Sequence, residues 1–259
     1  MRTPDETFAA ATTILDVGGW YAPEPRATHV IDLMPWETRG ARLTLAPLPG
    51  ERFTKATWFQ ADFLRPDFTL PFADRSFDLA LCGHTIEDLA APERLLRELQ
   101  RVARRGRIEC PARLAEQTVG LRDRQSSLAG HPHHHWIVDV GPGGLTLHAK
   151  ADSALDHDAT LVPLLFTERH VFHDRRLRES AFEWNGAFAH RVVHGAACRE
   201  RAREFVAALN IPRHVREQDR LLRGVRRLRS RLRGRAAEDF SWWTEIVEAS
   251  RPYSRLELR

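Results

Sequence analysis

Two short apolar runs, each closed by an acid, constrain this chain more than anything else in it. They are Ile14-Leu-Asp-Val-Gly-Gly-Trp-Tyr21 and His29-Val-Ile-Asp-Leu33. An apolar run that ends in Asp16 and a glycine pair, followed by a second that ends in Asp32, is the pattern of two neighbouring strands and the turn between them. Gly18 and Gly19 let the backbone turn sharply and approach a ligand with no side chain in the way. Everything downstream is expected to serve a ligand held across these two strand tips.

The order of elements supports a parallel sheet. Strands are expected at about 12–17 and 28–33, with a connection that carries Pro23 and Pro25 and so holds no long helix. Residues 34–55 read as irregular, and Thr57–Asp62 reads as a third strand. Ser76–Cys82 is a near-continuous apolar run, as for a strand buried on both faces. A helix follows over 92–104. Pro92 and Glu93 open it, Leu95, Leu96, Leu99, Val102 and Ala103 share a face, and arginines crowd its end, where Gly106 supplies the left-handed stop. Arg107–Cys110 is the next strand, which makes a right-handed strand–helix–strand unit. Farther on, residues 112–130 carry no clear pattern, His135–Val140 and Leu145–Ala149 form a β-hairpin around Gly141-Pro-Gly-Gly144, and a strand is expected near 187–193. Residues 197–209 and 214–233 read as helices, and the end of the chain, with Trp242 and Trp243, is expected to pack back. The fold class is therefore α/β, a mostly parallel doubly wound sheet with an inserted hairpin and a helical C-terminal region. Three parts are expected, over 1–111, 112–195 and 196–259.

Composition narrows the setting. The 42% hydrophobic content fills a core, and no run of 18 apolar residues offers a membrane span. The N-terminus lacks a basic patch followed by an apolar core, and Cys82, Cys110 and Cys198 are odd in number and widely spaced. Both features point to the cytoplasm and to buried thiols. The net charge of +4 is carried by arginines, with Lys55 and Lys150 the lysines, and is weak evidence for an acidic partner.

The order of motifs over residues 12–111 resembles that of class I S-adenosylmethionine-dependent methyltransferases. The resemblance rests on Asp16-Val-Gly-Gly19, Asp32, Ala61-Asp62-Phe63, Leu70-Pro-Phe-Ala-Asp-Arg-Ser-Phe-Asp78, His84-Thr-Ile-Glu-Asp88 and Arg105-Gly-Arg-Ile-Glu-Cys-Pro111. It implies a Rossmann-like fold and S-adenosylmethionine as cofactor. By position, it implies that Asp16, Gly18 and Gly19 lie around the methionine part. Asp32, with Leu33 beside it, would receive the ribose hydroxyls, and Asp62 and Phe63 the adenine. Cys82, Gly83 and His84 would end the fourth strand beside the transferable methyl. The family's third glycine is replaced by Trp20.

Methyl transfer to a hydroxyl benefits from a base, and histidine, with a reference pKa near 6.5, suits it. His84 is the first candidate; its other reading is a histidine packed on the strand end. Glu87 and Asp88 are weaker candidates that would equally cap a helix. In His131-Pro-His-His-His-Trp136 an extended backbone puts His133 and His135 on one face. These imidazoles, with His131 and with Asp139, Glu109 or His84 completing the shell, could hold a divalent metal. In the alternative, His134 and His135 line an acceptor pocket as bases or contacts. Glu109 otherwise pairs with an arginine. The expected activity is methyl transfer to a small-molecule or sugar-like hydroxyl. The alternative is a catalytically silent module that docks on an acidic partner through the arginine-rich helix. Nucleic acid is disfavoured because that helix lacks interleaved aromatics, and a dehydrogenase because no G-x-G-x-x-G follows the first strand.

Overall fold

The computed structural model describes residues 11–39, 50–63, 65, 67–121, 128–155, 157–170 and 175–232. The chain divides into two compact units. Among the described residues, the first runs to Glu109 and takes in Ala181–Ala189; the second holds Cys110–Ser180 and residues 190–232. The C-terminal segment with Trp242 and Trp243 lies outside the described residues.

The first unit is built on a six-stranded sheet of order β3-β2-β1-β4-β5-β8. The strands are β1 (Ile14–Val17), β2 (His29–Asp32), β3 (Trp58–Gln60), β4 (Leu79–Gly83), β5 (Arg105–Pro111) and β8 (Glu179–Asn185). β1 pairs in parallel with both β2 and β4, β3 joins β2 in parallel, and β5 joins β4 in parallel. All four residues of β1 are buried, which accounts for its unbroken apolar character around Asp16. The strand order runs outward in opposite directions from β1 and β4. That reversal leaves a crevice at the carboxyl ends of the strands, where sheets of this kind bind ligands.

Helix α1 (Pro92–Val102) forms as its sequence pattern requires. Pro92 occupies the first turn, Arg101 the last, and Leu95, Leu96, Leu99 and Val102 are buried. Glu98 accepts the Leu70 N–H at 2.7 Å and pairs with Arg101, whose guanidinium also donates to the Leu70 and Phe72 carbonyls. One ion pair thus pins the Leu70–Asp74 loop to the helix. Asp78 does the same for the start of the sheet. Its Oδ2 accepts the backbone N–H and the hydroxyl of both Thr12 and Thr13, and these bonds hold its carboxyl well below the usual carboxylate range. The Leu70–Asp78 motif therefore marks the fold rather than the chemistry.

One expectation is corrected here. Gly106 does not end α1. The helix stops at Ala103 in an extended conformation, and Gly106 lies within β5, where a Cβ would meet the Trp184 ring at 2.0 Å. Trp184 on β8, a strand missing from the sequence reading, is the reason for that glycine. The glycine turn after β1 leads into no helix among the described residues. Instead Trp20, 7% exposed, joins Ile14, Ala27, Val30, Met34, Phe53, Trp58 and Leu79 in a core cluster. Its indole N–H donates to the Thr38 hydroxyl at 3.1 Å.

The second unit contains a three-stranded sheet of order β6-β7-β9. β6 (Trp136–Gly141) and β7 (Gly144–Ala149) are antiparallel, as expected for the hairpin, and β9 is Ala189–Val193. The helices here are α2 (Arg113–Gln117), α3 (Leu164–His170), α4 (Arg175–Arg178), α5 (Ala196–Ala208) and α6 (Arg213–Leu232). Among the described residues, no helix is long and apolar enough to cross a membrane.

Candidate active site

The carboxyl ends of β1, β2, β3 and β4 lie along one edge of the sheet, and the sequence candidates of the first unit gather there. Gly18 has a φ of +78°, and its N–H donates to the Ile31 carbonyl at 2.9 Å, which joins the β1 turn to β2. A Cβ on Gly18 would stand 1.9 Å from the Thr85 hydroxyl oxygen. One on Gly19 would stand 2.6 Å from Asp16 Oδ2. Both glycines are demanded by close neighbours as well as by the turn.

Asp16 and Asp32 are 6% and 7% exposed. Asp16 accepts the Glu24 N–H at 2.8 Å. Asp32 accepts the Trp20 N–H at 3.0 Å through one oxygen and the Met34 N–H at 2.8 Å through the other. Burial pushes the Asp16 carboxyl up to about 7; the Glu24 N–H opposes this and the charge of Asp32 adds to it. Burial likewise pushes Asp32 up to about 6, against the N–H groups of Met34, Trp20 and Leu33. Leu33 is half-exposed, and its carbonyl accepts from the Gln60 side chain at 2.9 Å. Asp62 and Phe63 follow β3, both half-buried, and Phe63 meets Phe68 edge-on with centroids 5.1 Å apart.

At the end of β4, Cys82 is buried and free. Burial, with the charges of Glu87 and Asp16, pushes its thiol far up, so it supplies no thiolate. Gly83 faces open space, with nothing within 4 Å of where a Cβ would stand. His84 takes the left-handed conformation, φ +49°, rarely adopted by a residue with a side chain. Its Nδ1 lies 3.5 Å from Oε1 of Glu87, and its own side chain is 49% exposed. Glu87 is 1% exposed, and neither of its oxygens has a hydrogen-bond partner. Glu87 lies in a single 3-10 turn, Ile86–Asp88, and caps no longer helix.

The rim thus holds three buried carboxylates, Asp16, Asp32 and Glu87. None of them is paired with a lysine or arginine among the described residues. Buried carboxylates are ordinarily paired. A cofactor that carries a sulfonium and an ammonium group fits such a rim, and the open space at Gly83 gives it room.

The histidine cluster lies in the second unit and differs from its expected form. The strand begins only at Trp136, so His133 and His135 are not aligned on an extended face; both are exposed. The converging pair is His131 and His134. Their Nδ1 atoms lie 3.0 and 2.7 Å from the same oxygen of Glu116, a residue that sequence reasoning passed over in an unpatterned segment. Burial alone would raise the Glu116 carboxyl, but the hydrogen bonds of His131 and His134 and the charge of Lys150 hold it well below the usual range.

The proposed completing ligands are engaged elsewhere. Glu109 accepts two Arg107 nitrogens at 2.7 and 2.5 Å. Asp139 accepts a fork from Arg113 at 2.7 and 2.9 Å, Arg201 at 3.0 Å, and stands 3.3 Å from His148. His84 pairs with Glu87.

The strand order defines a Rossmann-like α/β domain with a mostly parallel sheet. A family model described as a methyltransferase domain matches residues 37–108, from the segment after β2 into β5. Over that stretch the chain is similar to a methyltransferase domain. Among solved structures, the chain is similar to a SAM-dependent methyltransferase from Aquifex aeolicus, at 19% identity over 39% of this chain and 57% of that one, TM-score 0.30. It is similar to one from Mesorhizobium loti at 18% identity over 52% and 55%, TM-score 0.31. The N-terminal domain of EvdMO1, solved in the presence of SAH and D-fucose, aligns at 16% identity over 78% of this chain and 68% of that one, TM-score 0.32. The chain thus spans little more than half the length of the first two. No curated protein matches it.

Proposed function

We propose that the protein transfers a methyl group from S-adenosylmethionine to a hydroxyl of a small, sugar-like acceptor, with His84 as the base. The observation that carries this reading is the His84–Glu87 pair at the tip of β4, a half-exposed imidazole backed by a buried carboxylate with no hydrogen-bond partner of its own. The cofactor supplies an electrophilic methyl, so the protein's task is to align, to exclude water and to manage one proton.

Asp32 receives the ribose hydroxyls through the lone pairs left over from its backbone bonds, and Asp62 and Phe63 receive the adenine. Asp16 and Glu87 supply the negative charge that a sulfonium and an ammonium group call for. His84 accepts the acceptor hydroxyl's proton on Nε2, while Glu87 holds Nδ1–H and steadies the imidazolium that forms. The experiment is transfer of a tritiated methyl to a panel of free sugars and small alcohols, with wild type and His84→Asn. Label on oxygen, lost at least about 100-fold in the variant, supports the reading. Label on amines alone, or an unaffected variant, contradicts it.

A second reading is favoured by α6. Leu221, Leu222, Val225 and Leu228 are exposed on a helix crowded with arginines. A docking module that keeps the fold and binds an acidic partner through this helix would show partner binding that falls steeply with salt. It would show no affinity for the cofactor.

A further inference from the structure

We propose that Glu116, His131 and His134 form a divalent transition-metal site, best suited to zinc, with Lys150 orienting the carboxylate from behind. The inference concerns the second unit alone and stands whether or not the methyl-transfer reading holds. The three donor atoms lie within 4.8 Å of one another, and two imidazole nitrogens face a single carboxylate oxygen, Oε1. Two imidazoles and one carboxylate are the protein ligands of a zinc site that keeps a fourth position open.

With metal–ligand bonds of about 2.0–2.1 Å, neighbouring ligands of a tetrahedral ion stand roughly 3.3 Å apart. The separations to Oε1 are 3.0 and 2.7 Å, so an ion enters by spreading the ligands a few tenths of an ångström.

The ligands are held by bonds that do not involve an ion. The other carboxylate oxygen, Oε2, accepts from Lys150 Nζ at 2.5 Å, and the same ammonium donates to the His131 carbonyl at 2.7 Å. The His134 N–H donates to the His131 carbonyl at 3.2 Å and closes the turn that presents both rings. Gly130, at φ +55°, lies against Glu116, where a Cβ would be 2.6 Å from its Cα. A carboxylate that ligates with one oxygen and is held by a donor on the other is the usual outer-shell arrangement of metal sites. Because Lys150 already balances Glu116, a bound dication keeps its full charge. Its open position then selects hydroxide or an anionic oxygen ligand.

The test uses the untagged chain, stripped with chelator, titrated with Zn2+ by calorimetry and with Co2+ by visible absorption. The expected result is one ion per chain and the intense absorption of tetrahedral Co2+. Affinity falls at least about 100-fold in His131→Ala and in His134→Ala, about 10- to 100-fold in Lys150→Met, and stays within about threefold in His133→Ala and His135→Ala. Absence of a stoichiometric ion overturns the proposal, as does binding that follows His133 or His135. Tighter binding in Lys150→Met also overturns it, since the ammonium would then be the cluster's own cation. Should the ligand variants fail to fold, zinc-edge X-ray absorption of the wild type decides. Two imidazoles and oxygen donors support the site, and a shell without paired imidazoles contradicts it.

Discussion

His84 Nδ1 lies 3.5 Å from Glu87 Oε1, and the carboxylate behind it is 1% exposed with no hydrogen-bond partner. Glu87 faces the imidazole at Nδ1 and holds the ring in place. Replacing Glu87 by Gln is therefore expected to lower kcat by about 10-fold while KM for the acceptor changes little, since Glu87 acts through His84. An unchanged kcat would separate the two residues. The measurement is steady-state kinetics with the acceptor varied.

Gly18 and Thr85 form a second close pair. Gly18→Ala brings a Cβ against the Thr85 hydroxyl and imposes a φ of +78° on a side-chain-bearing residue. The single variant is expected to lose about 3 kcal/mol of stability. Gly18→Ala with Thr85→Ala regains part of it, and about 1–2 kcal/mol remains from the left-handed backbone alone. Denaturant unfolding of both variants and of Thr85→Ala checks this, and strict additivity would contradict it.

Asp16 carries a pH dependence with a definite sign. Its carboxyl is raised from 3.8 in the unfolded chain to about 7 in the fold, so the folded state holds the proton more tightly. The resulting loss of stability is absent below pH 3.8 and complete above about pH 7. Asp16→Asn keeps an acceptor for the Glu24 N–H and removes the buried charge. Without cofactor, it is expected to stabilise the protein at pH 8 by on the order of 2 kcal/mol and to leave it unchanged at pH 3.5. Urea midpoints at the two pH values measure the difference.

Asp139, expected as a metal ligand, is instead the centre of a structural ion network. Arg113 is 4% exposed and depends on Asp139, with Gln117 as its other partner at 3.2 Å. Asp139→Ala leaves a buried guanidinium without its counter-charge and is expected to lower stability by about 3–5 kcal/mol. A loss under 1 kcal/mol in denaturant unfolding would mean that solvent replaces the carboxylate.

The sheet was legible because strands buried on both faces leave near-continuous apolar runs, and β1, β2 and β4 do so. The rim was legible because parallel strands end together, so an acid closing one run and an acid closing the next must become neighbours. What escaped depends on partners far along the chain. Gly106 reads locally as a helix stop, and only Trp184 on a distant strand shows why it cannot carry a side chain. Trp20 breaks the familiar glycine pattern, yet its indole fills a core that no local periodicity announces. Glu116 sits in a stretch without period. The histidines that meet it are His131 and His134, and the alternation that pairs His133 with His135 fails because the strand begins only at Trp136.

The central claim is that the rim formed by Asp16, Asp32 and Glu87 grips an adenosyl cofactor, and calorimetric titration with S-adenosylhomocysteine tests it most directly. The account predicts one molecule bound per chain by the wild type, and an affinity lower by about 10- to 150-fold in Asp32→Ala, the equivalent of about 1.5–3 kcal/mol of lost charged hydrogen bonding. Absence of binding by the wild type at millimolar ligand, or equal affinity in the two proteins, would contradict it.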